Sequence, residues 1–378
     1  MRRAIAAAFI SVACCLAITP ANADRSHQWA LSYLKADQVW QVTKGAGITI
    51  AVVDSGVKPN PDLPSNLLPG ADYSAMDGND IGDGHTDTDT DGHGTGMATV
   101  IAGSGQSNSG AGTIGLAPNA SILPIRAESS IGAGLVFGIA PGVKFAIDHG
   151  ARVINLSVGL SVDDPAIHKA INDAVAKDTV VVAAVGNSTS APAYPAADPG
   201  VLGVGAIDET GAIWASSNTG TDVTLVAPGV HIYRDDNRNN QGYSDGTSEA
   251  TAYVSAAAAL VRSAHPTWTA PQVISALTST AVKPPALDGQ TRDDQYGYGI
   301  VNPLAAVELT APPATTTQTA TPTPTDPSAT PATSATSTVG PAVGASRSSN
   351  KTTTLIGGAV LLLAAATLIA IPTLRRRR

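Results

Sequence analysis

Between residues 24 and 309 the chain alternates two hydrophobic patterns. Short runs that are almost wholly apolar and rich in β-branched residues occur at Ile48–Val53, Ile122–Ile125, Arg152–Leu156 and Thr179–Ala184. Half-exposed strands would alternate apolar with polar, so these runs predict parallel strands covered on both faces. Between them lie stretches of helical spacing. From Asp164 to Lys177, the residues Ile167, Ala170, Ile171, Ala174 and Val175 share one stripe, with Pro165 in the first turn, where its missing N–H is harmless. Gly142 to His149 predicts a shorter helix closed by Gly150. Thr269 can cap another that turns Val273, Ile274 and Leu277 inward. Strands alternating with helices predict an α/β fold with a mainly parallel central sheet, whose sites gather at the carboxyl ends of the strands.

One helical stretch differs from the others. Glu249 to Val261 is apolar on nearly every face, which predicts a helix buried in the core. Gly246-Thr247-Ser248 stands at its head. Serine is a preferred N-cap, and taken alone the stretch reads as a cap. The same place offers free N–H groups and the positive end of the helix dipole, where an oxyanion is stabilised.

Polar residues interrupt the pattern at three further strand or helix ends. Asp54 directly follows the Ile48–Val53 strand. His93 sits among glycines in Asp91-Gly92-His93-Gly94-Thr95-Gly96, ahead of a helical run through Met97, Val100 and Ile101. Asn187 ends the Thr179–Ala184 strand region in Val185-Gly186-Asn187. Each residue alone is an ordinary turn former or surface side chain. Together they bring an aspartate, a histidine, an asparagine and a serine to the ends of elements of one sheet.

Composition removes several alternatives. The formal net charge of −8 over 378 residues provides no basic patch for nucleic acid. The two cysteines, Cys14 and Cys15, both lie in the N-terminal apolar segment, so the body has no thiol for a disulfide or a metal. Met1-Arg2-Arg3, the apolar stretch to Ile18 and Ala21-Asn22-Ala23 predict a secretory signal peptide over 1–23. Residues 310–353 are dominated by Thr, Pro, Ala and Ser without a hydrophobic period and predict an extended linker. Residues 354–374 are uncharged and apolar apart from a few threonines, long enough for a transmembrane helix, and Arg375 to Arg378 follow as a basic tail. The positive-inside rule keeps that tail in the cytoplasm and the body outside the cell membrane. The acidic stretch from Asp72 through Asp80, Asp83, Asp87, Asp89 and Asp91 makes calcium a candidate ligand, but it lacks EF-hand spacing and reads first as a solvated polar loop.

In order and local sequence, the four polar motifs resemble those of the subtilisin-like serine proteases. Asp-Ser-Gly at Asp54, His-Gly-Thr at His93, Gly-Asn at Asn187 and Gly-Thr-Ser-x-Ala at Ser248 stand in the subtilisin order Asp…His…Ser. Gly115–Pro118, Val153–Ser157, Tyr194–Ala196, Val226–Gly229 and Gly297–Val301 extend the match over Gln28 to Val307. The resemblance implies a subtilisin-like three-layer fold. It further implies Asp54, His93 and Ser248 as the catalytic residues and Asn187 as the oxyanion donor. Ser157, Val158, Gly159, Ala184 and Gly186 would line the substrate strand. No cofactor is implied as a requirement. The layout of signal peptide, peptidase domain, stalk, single span and arginine tail is similar to the mycosins, membrane-anchored proteases associated with type VII secretion. This similarity implies peptide or protein substrates, partners in that secretion machinery, and no large folding prodomain.

Two residues depart from the family pattern. Glu249 follows the serine where Met or Phe is usual, and Ala252 replaces a usual Pro. A carboxylate turned inward would disfavour a developing oxyanion, whereas one turned to solvent would only alter substrate preference. That departure keeps a second function open, a scaffold subunit of a secretion complex with weak or no proteolysis. A general acyl hydrolase fits less well, because Gly-x-Ser-x-Gly does not occur around Ser248.

Overall fold

The structure, a computed structural model, describes residues 25–63, 66–75, 79–127 and 135–314. The segments expected as a signal peptide at 1–23, a linker beyond residue 314, a span at 354–374 and a basic tail lie outside the described residues.

In chain order the elements are α1 (Trp29–Tyr33), α2 (Ala36–Val42), β1 (Thr49–Asp54), β2 (Ala71–Asp72), α3 (His93–Ala102), β3 (Ser121–Arg126), α4 (Leu135–Asp148), β4 (Val153–Leu156), α5 (Pro165–Ala176), β5 (Val180–Ala184), β6 (Leu202–Ile207), β7 (Leu225–Pro228), β8 (Ile232–Asp235), β9 (Gln241–Ser244), α6 (Thr247–Ala264), α7 (Ala270–Ser279) and α8 (Pro303–Val307). Seven strands form one sheet in the order β2-β3-β1-β4-β5-β6-β7. Every neighbouring pair in it is parallel. β8 and β9 form a separate antiparallel pair.

Successive residues of a strand face opposite sides, and β1 shows what that does here. Ile50 and Val52 pack into the core layer that contains α3, α6 and α7. Ala51 and Val53 pack into the layer that contains α4 and α5. Both faces are dry, which is why the strand runs are continuously apolar.

The α6 helix is the buried helix expected from its composition. Every residue from Thr247 to Arg262 is buried, and Ala250, Ala252 and Ala256 to Ala259 let it lie close to the sheet. Helix starts follow their caps. Asp164 accepts hydrogen bonds from the N–H groups of Ala166 and Ile167 at 2.9 and 3.1 Å, and Pro165 opens α5. Ahead of α7, Gln272 reaches back to the Thr269 N–H at 2.8 Å, one arm of a capping box.

The structure departs from the hydrophobic pattern at the sheet edge, in α4 and in the β8–β9 hairpin. β6 and β7 complete the sheet at two apolar stretches, Leu202–Ile207 and Leu225–Pro228, that are not among the strand runs named above. Gly203 and Gly205 dilute β6, and Pro228 ends β7. The helix expected at Gly142 begins earlier, at Leu135, and runs through Pro141. Gly138 explains how: a Cβ there would sit 2.2 Å from the Ala127 carbonyl oxygen, so close packing against the chain leaving β3 overrides the poor helix propensity of Gly and Pro.

Candidate active site

β1 ends at Asp54, at the carboxyl edge of the sheet. Its carboxylate is fully buried. Oδ1 accepts from the Ser55 N–H at 2.8 Å and is bonded to His93 Nδ1 at 2.7 Å. Oδ2 has no hydrogen-bond partner among the described residues. His93 opens α3, and it reaches Asp54 because Gly94 follows it. A Cβ at Gly94 would sit 2.1 Å from the Gly56 carbonyl oxygen and 3.1 Å from Asp54 Oδ1. Ser55 ties the same turn together: its Oγ donates to Asp87 and accepts from the Gly94 N–H.

The His93 side chain keeps 28% of its surface exposed, so one face is open to an incoming group. Burial pushes its pKa down. The Asp54 charge and hydrogen bond, with Glu249 behind them, push it up further, and the result is about 9.

Ser248 lies in the first turn of α6, where backbone N–H groups have no partner within the helix. Its Oγ donates to the Ser157 carbonyl at 3.2 Å; among the described residues it has no hydrogen bond to His93. Ser157 Oγ in return donates to the Ser248 carbonyl at 3.0 Å. Asn155 Nδ2 donates to Ser157 Oγ at 3.0 Å, and Asn155 Oδ1 accepts from Ser255 Oγ at 2.9 Å. Two points of α6 are thereby fastened to β4 through buried polar groups.

Asn187 follows β5. Its Oδ1 accepts from both the N–H and the Oγ1 of Thr247, at 3.0 and 2.7 Å. With the oxygen so engaged, the amide nitrogen is the end of the group that has no hydrogen-bond partner among the described residues. The Gly186 N–H also donates to Thr247 Oγ1, at 3.2 Å. Of the residues expected to line a substrate strand, Ser157, Val158 and Ala184 are buried. Gly159 is exposed and Gly186 half-buried. A Cβ on Gly159 would lie 4.0 Å from the Gly186 Cα, so the two segments flank one another.

Glu249 does not point into solvent. It is 2% exposed, its Oε1 accepts from Ser244 Oγ at 2.5 Å, and Arg234 Nε lies 3.5 Å from the same oxygen. The hydrophobic pattern gave no hint of this arrangement, nor of the grip of Thr247 on Asn187. Arg234 sits in a short polar hairpin, and only its proximity to Glu249 in space reveals the pair.

Asp72, Asp80, Asp83, Asp87 and Asp89 of the acidic stretch are engaged by protein groups in and around the loop. Asp72 pairs with Arg126 at 2.9 Å, Asp80 accepts from the N–H groups of Asp72 and Gly82, and Asp89 accepts from those of Asp91 and His93. Asp87 accepts from Ser55 and Thr95, and burial pushes its carboxyl pKa up. This is the geometry of a hydrogen-bonded polar loop. Among the described residues, the trio whose ligand atoms lie within 4.8 Å of one another is Asp163, His168 and Asp198, on and beside α5.

The profile of the Subtilase family matches residues 45–299 of this chain. Subtilisin E of Bacillus subtilis is 34% identical over 291 residues, covering 75% of this chain and 72% of the relative. A thermophilic serine proteinase of Bacillus sp. (strain AK1) is 37% identical over 247 residues, or 63% of this chain and 58% of that protein. Among solved structures, MycP1 from Mycobacterium smegmatis superposes with a TM-score of 0.66 at 29% identity, covering 78% of this chain and 87% of that one. The MycP3 protease from the type VII (ESX-3) secretion system gives 0.63 at 33% identity, covering 74% and 88%.

Proposed function

The chain belongs to the subtilase family of serine peptidases, and from that premise we propose that it is a membrane-anchored extracellular endopeptidase of the mycosin type, associated with type VII secretion. The observation that carries the catalytic part is the 2.7 Å bond between His93 Nδ1 and the buried Asp54 carboxylate. That bond fixes the imidazole tautomer and leaves Nε2 as the base. The similarity to MycP1 and MycP3 supports the secretion context.

In this reading Ser248 is the nucleophile. Its hydroxyl leaves the Ser157 carbonyl by rotating about Cα–Cβ, and Nε2 of His93 takes its proton as Oγ attacks the scissile carbonyl. The Asp54 carboxylate stabilises the imidazolium so formed. Negative charge on the tetrahedral intermediate falls between the Ser248 N–H and the amide nitrogen of Asn187. Collapse expels the amine with the proton from His93, and water hydrolyses the acyl-enzyme by the same steps in reverse roles. The extended peptide lies against Ser157, Val158 and Gly159 on one side and Ala184 and Gly186 on the other.

Labelling of the full chain by a fluorophosphonate probe tests the assignment. The parent protein should be labelled and Ser248→Ala should not, with unchanged thermal unfolding. Equal labelling of both would remove Ser248 from the role.

One observation favours a second reading, a scaffold subunit of the secretion complex. Glu249 is a buried carboxylate directly after the nucleophile, and the part of its charge that Arg234 leaves unbalanced disfavours an oxyanion. If Ser248→Ala fully restores secretion to a strain lacking the protein, the scaffold role is the one that secretion requires.

A further inference from the structure

Arg234 in β8 and Glu249 in the first turn of α6 meet beside the candidate active site. Arg234 is 9% exposed and Glu249 2%. A buried carboxylate without a counter-charge is strongly disfavoured, and removing one partner of a buried pair strands the other. Ser244 stands between them: Arg234 Nε donates to Ser244 Oγ at 2.7 Å, and Ser244 Oγ donates to Glu249 at 2.5 Å. The other arm of the guanidinium reaches the opposite wall. Arg234 Nη1 donates to the carbonyls of Asp91 and Gly92 at 3.1 and 3.3 Å, immediately before His93. A Cβ on Gly96 would sit 2.4 Å from Nη1, so the first turn of α3 is kept bare where the guanidinium crosses it.

We infer that Arg234 and Glu249 are positioning residues that act as one unit. Their ion pair fastens the start of α3, which carries His93, to the start of α6, which carries Ser248, and balances the charge around the imidazole. This rests on the roles of His93 and Ser248 proposed above. It also accounts for the departure at Glu249: the charge introduced after the nucleophile is matched by one from the β8–β9 hairpin.

The groups facing His93 can be named from each side. Asp54 comes from β1, Glu249 from α6 and Arg234 from β8. The loop before α3 brings Asp87 and Asp89, whose oxygens are engaged by Ser55, Thr95 and backbone N–H groups. Glu249 pushes the His93 pKa up and Arg234 pushes it down. Catalysis needs neutral His93, so the two charges move the acid limb of the pH profile in opposite directions.

The test is the rate of fluorophosphonate labelling of the full chain against pH, with thermal unfolding measured in parallel. In Arg234→Met, the acid limb should move to higher pH and labelling at neutral pH should fall about threefold or more, since one pH unit is a factor of ten in neutral imidazole. In Glu249→Gln, the limb should move to lower pH. The double variant should return towards the parent. A merely structural pair would lower stability in both single variants without opposite shifts, and that result overturns the inference. Should Arg234→Met fail to fold, Arg234→Lys keeps the charge and loses the fork onto Asp91 and Gly92. It should keep the midpoint and lose maximal rate, and labelling equal to the parent at every pH would count against the inference. An unlabelled parent would instead overturn the reading of Ser248.

Discussion

Asn187 is aimed by its own acceptor atom. Two groups of Thr247 hold Oδ1, which on the proposed mechanism leaves the amide nitrogen to meet substrate. Removing the equivalent oxyanion donor of subtilisin lowers kcat by ~10²–10³, a magnitude taken from that enzyme and not from this geometry. Asn187→Ala should show a loss of that order with KM little changed. Thr247→Val keeps the donor and removes one of the two groups holding it, so its kcat should fall between the parent and Asn187→Ala. Steady-state hydrolysis of a peptide substrate separates the two parameters; a Thr247→Val rise in KM alone would mean that Thr247 shapes substrate binding instead. Asp54, His93, Asn187 and Ser248 were legible in the sequence because each stands in a short local motif at the end of an apolar run. Thr247 was legible only as a neighbour of Ser248. Its contact with Asn187 joins residues 60 positions apart, and no local pattern records that.

At the level of elements, the strands buried on both faces were the easiest to read. β1, β3, β4 and β5 appear as continuous apolar runs because helices cover both sides of the sheet. β6 and β7 escaped because glycine and proline break the run while the sheet supplies the order. The β8–β9 hairpin escaped for a different reason: it is short and polar, and its role lies in what its side chains reach. Arg234 reaches α3 and α6. Asp235, next to it, is fully buried against Thr113 and Gln241, with Oδ2 lacking a hydrogen-bond partner among the described residues. Burial, then the neighbouring Asp62, pushes its pKa from 3.8 up to about 7. The sign follows directly. The folded chain holds this proton more tightly than the unfolded chain, so its stabilising contribution is complete below pH 3.8 and is lost as pH rises to about 7. Asp235→Asn keeps the shape and removes the titration. The urea midpoint of the parent should fall relative to that of the variant across this window, while His93 and other groups remote from Asp235 contribute equally to both. Parallel curves would show that Asp235 does not titrate there.

For the whole molecule, the question is where the peptidase body is held. Among the described residues no helix is long and apolar enough to cross a membrane. In the function proposed above, the anchor is residues 354–374, where ~20 apolar residues at ~1.5 Å rise would match the hydrocarbon thickness. The same proposal takes residues 310–353, dominated by Thr, Pro, Ala and Ser, as a linker. If the proposed anchor is what holds the protein, attachment and the active site are separable. Ending the chain at residue 353 should then move the protein from the membrane fraction to the medium. Fluorophosphonate labelling of Ser248 per molecule should stay unchanged. Retention of the shortened chain on carbonate-washed membranes would place the attachment in the body itself, and loss of labelling with release would show that tethering also shapes the site.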